Sequence, residues 1–252
     1  MGIYSMYILE IMGLWIRPRG YYGMFFDPTY ILVIIGVVLS LIASGMVKST
    51  YAKYKKVRSM SGYTGAQAAE RILHQAGIYD VQIVHISGDL TDNYNPQTKT
   101  LSLSDTVYGS TSVAAIGVAA HECGHAIQHN KEYAPLKLRG AMVPAVNICS
   151  TISWPVILIG VFLSWNQTLI TLGIIFFAVA VLFSLITLPV EFNASGRALH
   201  ILGNNGILAE DEVRKARKVL TAAAMTYVAS AAGMILQLLR LIILFGGNSR
   251  ND

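Results

Sequence analysis

The chain has 252 residues, 54% of them hydrophobic and only 13% charged, with a formal net charge of +5. Soluble globular domains carry about 25% charged residues, so the composition excludes an ordinary water-soluble domain. Two cysteines, Cys123 and Cys149, exclude a disulfide framework.

Along the chain, the opening "MGIYSMYILEIMGLWI" is too short to span a bilayer and contains Glu10. Residues 1–27 therefore read as an interfacial segment. With no basic start and no small-residue cleavage site they do not read as a cleavable signal peptide. The stretch "PTYILVIIGVVLSLIASGMV", residues 28–47, is uncharged for 20 residues and predicts a first transmembrane span.

Directly after it comes "KSTYAKYKKVR", with Lys48, Lys53, Lys55, Lys56 and Arg58 close to the bilayer. Of 19 Lys and Arg, ten lie in residues 48–140 and five in 191–227. The positive-inside rule puts both regions in the cytoplasm of a cell-membrane protein. Attraction to anionic lipid then accounts for the net charge, and no nucleic-acid partner is needed.

Within 48–140, Thr64 is placed to cap a helix through "GAQAAERILHQA" that Gly77 closes. The runs "VQIVHIS" (81–87) and "TKTLSLS" (98–104) alternate and flank Gly88, Asn95 and Pro96, which predicts a β-hairpin with a long turn. The second run either offers an edge to which an extended peptide can add as a strand or belongs to a hairpin that only packs.

A helix is expected next, from about Ser112 to Asn130, and it contains "AAHECGHAIQH". His121 and His125 are four apart, so they share a helical face about 6 Å apart along the axis and can converge on one ion. Glu122, one residue round, can stand beside a metal and take a proton from water there. With six His and seven Glu in the chain, His-Glu-x-x-His would arise by accident roughly 0.004 times. A catalytic zinc normally has a third protein ligand. His129 lies about 12 Å along the axis from His121 and about 80° round, which puts it out of reach. Cys123 points away and reads as a packed small residue.

From 140 to 190 no residue is charged, a run of 51. It predicts two spans (141–190) turning at Asn166-Gln167, with Trp165 at headgroup level. Glu191 ends the run on the histidines' side of the membrane. It is the best third ligand, and Ser195 at i+4 could reach a ligating group. The alternative is an acid favoured by the dipole of a helix that opens there. "EFNASGRALHIL" is expected to stop at "GNNG" (203–206), before a helix with acids first and bases later. Residues 228–246 form a fourth span, with Arg240 snorkelling to the interface. An oxyanion-stabilising residue could be Arg197, His200 or Tyr227, though helical spacing puts the first two off the Glu191 face.

"VAAHECGHAIQH" followed by "LPVEFNASGRAL" resembles the YugP-type family of bacterial membrane neutral zinc metallopeptidases. The likeness extends through "DLTDNYNPQTKTLSLSDTVYGSTSVAAIGVAAHE" and into the spans. More distantly the chain is similar to the HtpX and CAAX-prenyl protease gluzincins, whose later E-F/Y-x-A-D segment supplies the third ligand. The resemblance implies Zn2+ held by His121, His125 and Glu191, with Glu122 as general base. It also implies protein or peptide substrates, membrane proteins among them. The group's aspartate position is occupied here by Ser195.

The expectation is a mainly α, multi-pass membrane protein of about four spans, with a cytoplasmic gluzincin-like helical catalytic region and a small β-hairpin. Its function would be zinc-dependent hydrolysis of peptide bonds at the cytoplasmic membrane surface. An intramembrane site-2-type protease would take a later intramembrane aspartate, and none exists between Arg139 and Glu191. A non-catalytic scaffold with a structural zinc would normally close the site with four ligands, often cysteines.

Overall fold

The computed structural model describes residues 27–246, so nearly all of the interfacial segment expected over 1–27 lies outside the described residues. The elements are α1 (Tyr30–Tyr54), α2 (Gly65–Gln75), β1 (Gln82–Ile86), β2 (Asn93–Asn95), β3 (Thr100–Ser104), α3 (Val113–Asn130), α4 (Ala134–Phe162), α5 (Gln167–Asn204) and α6 (Glu210–Phe245). Four of them, α1, α4, α5 and α6, are long and apolar enough to cross a membrane, as a multi-pass helical membrane protein requires.

In the apolar layer the helices pack as α4 on α5, α5 on α6 and α6 on α1. Without a hydrophobic drive between helices in lipid, small residues and buried polar links set the contacts. A Cβ on Gly36 would meet Gly233 Cα at 3.1 Å, and one on Gly173 would meet Ser153 O at 2.9 Å. Ser153 Oγ also donates to the Gly173 carbonyl at 3.0 Å. The fourth span begins inside a longer helix: α6 opens on Glu210, Asp211 and Glu212 and runs into the apolar layer without a break. Arg240 does more than snorkel. Its guanidinium lies 4.2 Å from the Tyr30 ring and 3.8 Å from Asp27, so the start of α1 and the end of α6 are tied together.

The polar layer is built on one core of α2, α3, the sheet and the near ends of α5 and α6. Thr64 caps α2 in a reciprocal capping box with Gln67, and Gly77 follows the helix in the left-handed region at φ 72°. The expected hairpin is corrected. The sheet has three strands in the order β1-β3-β2, with β1 parallel to β3 and β2 antiparallel to it. The tight antiparallel pair is β2–β3. Asp92 accepts from Ser104 N at 2.8 Å, which fixes β2 beside β3. The strand expected to offer a free edge, β3, is therefore the central one. Segment 57–59 pairs with 111–113 and leads the chain into Ser112, whose hydroxyl accepts from Ala115 N and caps α3.

A second correction concerns Glu191, which opens no helix. The third span and the helix after it are one 38-residue element, α5, that passes through Pro189. A proline inside a helix removes one backbone hydrogen bond. Packing against α3, α4 and α6 holds this one together. Glu191 thus sits deep in a helix, and a first-turn dipole does not account for it.

Candidate metal centre

The alanine-rich helix α3 is buried on almost every side, which lets it lie very close to α5. The contact point is Gly124, where a Cβ would meet the Ala194 carbonyl oxygen at 2.6 Å. This approach lowers His121 and His125 onto Glu191. His121 Nε2 lies 3.2 Å and His125 Nε2 3.6 Å from the same oxygen, Glu191 Oε2. One ligand atom from each residue falls within 4.8 Å of the others. Tetrahedral zinc with bonds of 2.0–2.1 Å needs its ligand atoms about 3.3 Å apart, so the three residues fit the ion with small adjustments.

The backs of the rings are tied as well. His121 Nδ1 lies 3.0 Å from Ser195 Oγ, and His125 Nδ1 lies 3.0 Å from Gln128 Oε1. Gln128 is fully buried, and its amide nitrogen donates to Val190 O at 2.8 Å and Asn193 Oδ1 at 2.9 Å. Its oxygen is therefore the acceptor, and His125 must carry its proton on Nδ1. That leaves Nε2 aimed at Glu191, able to turn its lone pair on an ion there or, when the ring is protonated, to donate toward the carboxylate. Arg197 Nε donates to the same Asn193 oxygen at 2.7 Å, and Arg139 reaches the other oxygen of Glu191 at 3.4 Å.

The electrostatics favour a cation at the convergence point. Burial works to raise the Glu191 carboxyl, but the hydrogen bond with His121 and the close contact with His125 win and hold it well below its ordinary range. Burial works to lower His125, and the contact with Glu191 outweighs it. Glu122 stands beside this cluster and is buried. Desolvation raises its carboxyl, partly offset by His121 and His125.

The other residues considered from the sequence fall elsewhere. His129 Nδ1 meets the Tyr94 hydroxyl at 2.9 Å, away from the cluster. Cys123 is packed in the core, where burial pushes its thiol well up and disfavours a thiolate ligand. Cys149 is half-buried in α4. Tyr227 is brought toward the site. Desolvation of its hydroxyl raises its phenol, the nearby carboxylates of Glu191 and Glu122 add to the effect, and the residue as a whole stays partly exposed. Arg197 and His200 line a cleft on another face of α5. Sequence reasoning did not find Gln128, Asn193 or Arg139. A glutamine three residues after the second histidine was the available signal for the first.

Residues 29–246 match the family model described as "Putative neutral zinc metallopeptidase". The chain is 46% identical over 214 residues, covering 85% of it and 95% of the relative, to a Bacillus subtilis (strain 168) protein named "Putative membrane protease YugP". No solved structure matches it.

Proposed function

The chain belongs to the neutral zinc metallopeptidase family, and from that premise we propose that it is a membrane-embedded zinc endopeptidase cutting peptide bonds at the cytoplasmic surface of the cell membrane. The observation that carries this reading is the convergence of His121 Nε2 and His125 Nε2 on one oxygen of Glu191. These three are the zinc ligands. Zinc, when bound, polarises the scissile carbonyl and acidifies water at the site.

Glu122 is the general base. It follows His121 directly in α3, lies in the field of His121, His125 and Glu191 without being one of the three ligands, and burial raises its carboxyl above the ordinary carboxylate range, which makes it a better proton acceptor. Ser195 orients His121, and Gln128 orients His125. Tyr227 is the candidate to donate to the oxyanion, since its ring is already within the field of Glu191 and Glu122. The extended substrate adds at β2, the edge strand that packs on α3 and is tied to it by Tyr94 and His129. The bias of Lys and Arg to residues 48–140 and 191–227 supports a cytoplasmic site and cytoplasmic segments of membrane proteins as substrates.

The test is cleavage of an unfolded protein by the detergent-purified chain, with bound zinc measured in each preparation. Glu122→Gln should keep zinc and lose hydrolysis by at least about 100-fold, whereas His125→Ala should lose both. Turnover retained in Glu122→Gln refutes its role.

A further inference from the structure

On a side of α5 turned away from Glu191, a cleft of about 790 Å³ opens between α2, the end of α3 and α5. Asn193, Arg197 and His200 follow one another at i, i+4 and i+7, so they share a face that excludes Glu191 and Ser195. Lys131 projects into the same cleft from the end of α3, and no acid lines it. Among the described residues no carboxylate neutralises the cations there. Among the described residues Lys131 has no carboxylate partner, because its neighbour Glu132 pairs instead with Lys137 at 3.0 Å. Arg197 commits only Nε, to Asn193 Oδ1, and lies 5.9 Å from the Tyr133 ring. Among the described residues its two terminal nitrogens have no hydrogen-bond partner.

Apart from Gln75 and Asn205, where Asn205 Nδ2 donates to Gln75 Oε1 at 2.6 Å, the rest of the lining is apolar, including Ile72, Ile127 and the half-exposed Phe192. Phe192 stands at the point where the 51-residue uncharged run ends, so the cleft meets the edge of the apolar layer.

We infer that this cleft binds a phosphate group, either the headgroup of an anionic phospholipid or free phosphate. A guanidinium presents paired N–H donors that match phosphate oxygens, and Lys131 adds a second cation on the facing wall. The cleft is also connected to the metal centre. Arg197 Nε, Asn193 Oδ1, the Gln128 amide and His125 Nδ1 form one unbroken chain of hydrogen bonds. A phosphate that holds the outer end of Arg197 keeps Nε on Asn193, and so stiffens the support of His125. This second consequence rests on the reading of His125 as a zinc ligand.

The experiment uses the full chain in nanodiscs. In one arm the discs contain phosphatidylcholine alone and inorganic phosphate is titrated onto metal-free protein. In the other, phosphatidylglycerol replaces part of the lipid, and native mass spectrometry counts lipids that stay bound. The wild type is compared with the double variant Lys131→Gln/Arg197→Gln. Lys131→Gln alone, at an exposed position, serves if the double variant folds poorly. A tenfold or greater weakening of phosphate binding, or loss of one retained phosphatidylglycerol, is the expected result, and which arm responds identifies the source. Equal binding by wild type and variant in both arms overturns the site.

Zinc affinity, read by competition with a chromogenic chelator, is then compared with and without the phosphate source that the first experiment identifies, anionic lipid or inorganic phosphate. A severalfold gain with that source that Arg197→Gln abolishes supports the link to His125, and no gain overturns that link. Failure of the wild type to take up zinc at all would sink the metal reading while leaving the phosphate result standing.

Discussion

Each imidazole at the centre is held by its back nitrogen before any ion arrives, and the two holders differ in kind. Gln128 is fully buried and locked by two acceptors on α5, whereas Ser195 is half-buried and carries a single rotatable hydroxyl. Gln128→Leu should therefore lower zinc affinity by about 10- to 100-fold, and Ser195→Ala by a smaller factor, both read by chelator competition. An equal loss in the two variants would mean that rigidity of the support does not matter. The pair His121/His125 was legible because a four-residue helical spacing needs no tertiary information. Glu191 was legible as a charge ending a long apolar run. Gln128 and Asn193 were not, since their value depends on the register between α3 and α5, whose contacting residues lie over 60 positions apart.

That register is decided at the level of elements by the close approach of Gly124 to Ala194. Gly124→Ala would place a methyl 2.6 Å from a backbone oxygen that cannot move aside, so the helices must separate. We expect a cost of about 1–3 kcal/mol, typical of overpacking, seen as a lower Tm. Zinc affinity should fall with it, because separation draws His125 from Glu191. A lower Tm with unchanged zinc affinity would show that the centre is not set by this contact.

The sheet teaches a different lesson. β1 and β3 both alternate, and alternation alone does not tell a parallel neighbour from an antiparallel one. The true hairpin partner, Asn93–Asn95, carries two asparagines in three residues and almost no strand signal. It is held by Asp92, which accepts from Ser104 N at 2.8 Å and also from the Ser104 hydroxyl. Asp92→Ala leaves a buried backbone donor without its acceptor and should cost about 1–3 kcal/mol. Hydrogen exchange should then quicken first at β2, and exchange that changes nowhere in the sheet would refute this role.

At the scale of the whole molecule, apolar length already pointed to four spans, since each is long enough to be recognised without knowing its neighbours. The pairing of α1 with α6 was not legible. It depends on Gly36 meeting Gly233 and on Arg240 meeting Asp27 and Tyr30, contacts between opposite ends of the chain. The proposed orientation makes a direct prediction. In intact cells a membrane-impermeant maleimide should label a cysteine introduced at Thr168, exposed in the first turn of α5, and should miss one introduced at Gln97, between β2 and β3. The reverse pattern would turn the site to the outside. Cys123 is buried and Cys149 half-buried in α4, so a cysteine-free background is the control.

The unbroken helix α5 makes the membrane a ruler. At 1.5 Å per residue its 38 residues extend for about 57 Å, and Glu191 is fixed to the same rod that crosses the apolar layer. If Glu191 holds the zinc, as proposed, the height of the cutting position above the lipid is set by this rod. A protease of this build would choose its bond by distance from the bilayer before sequence, trimming chains a set number of residues beyond their last buried segment. In a thicker or thinner bilayer the rod must tilt or the lipid adapt, and the point of cleavage should move along the substrate with it.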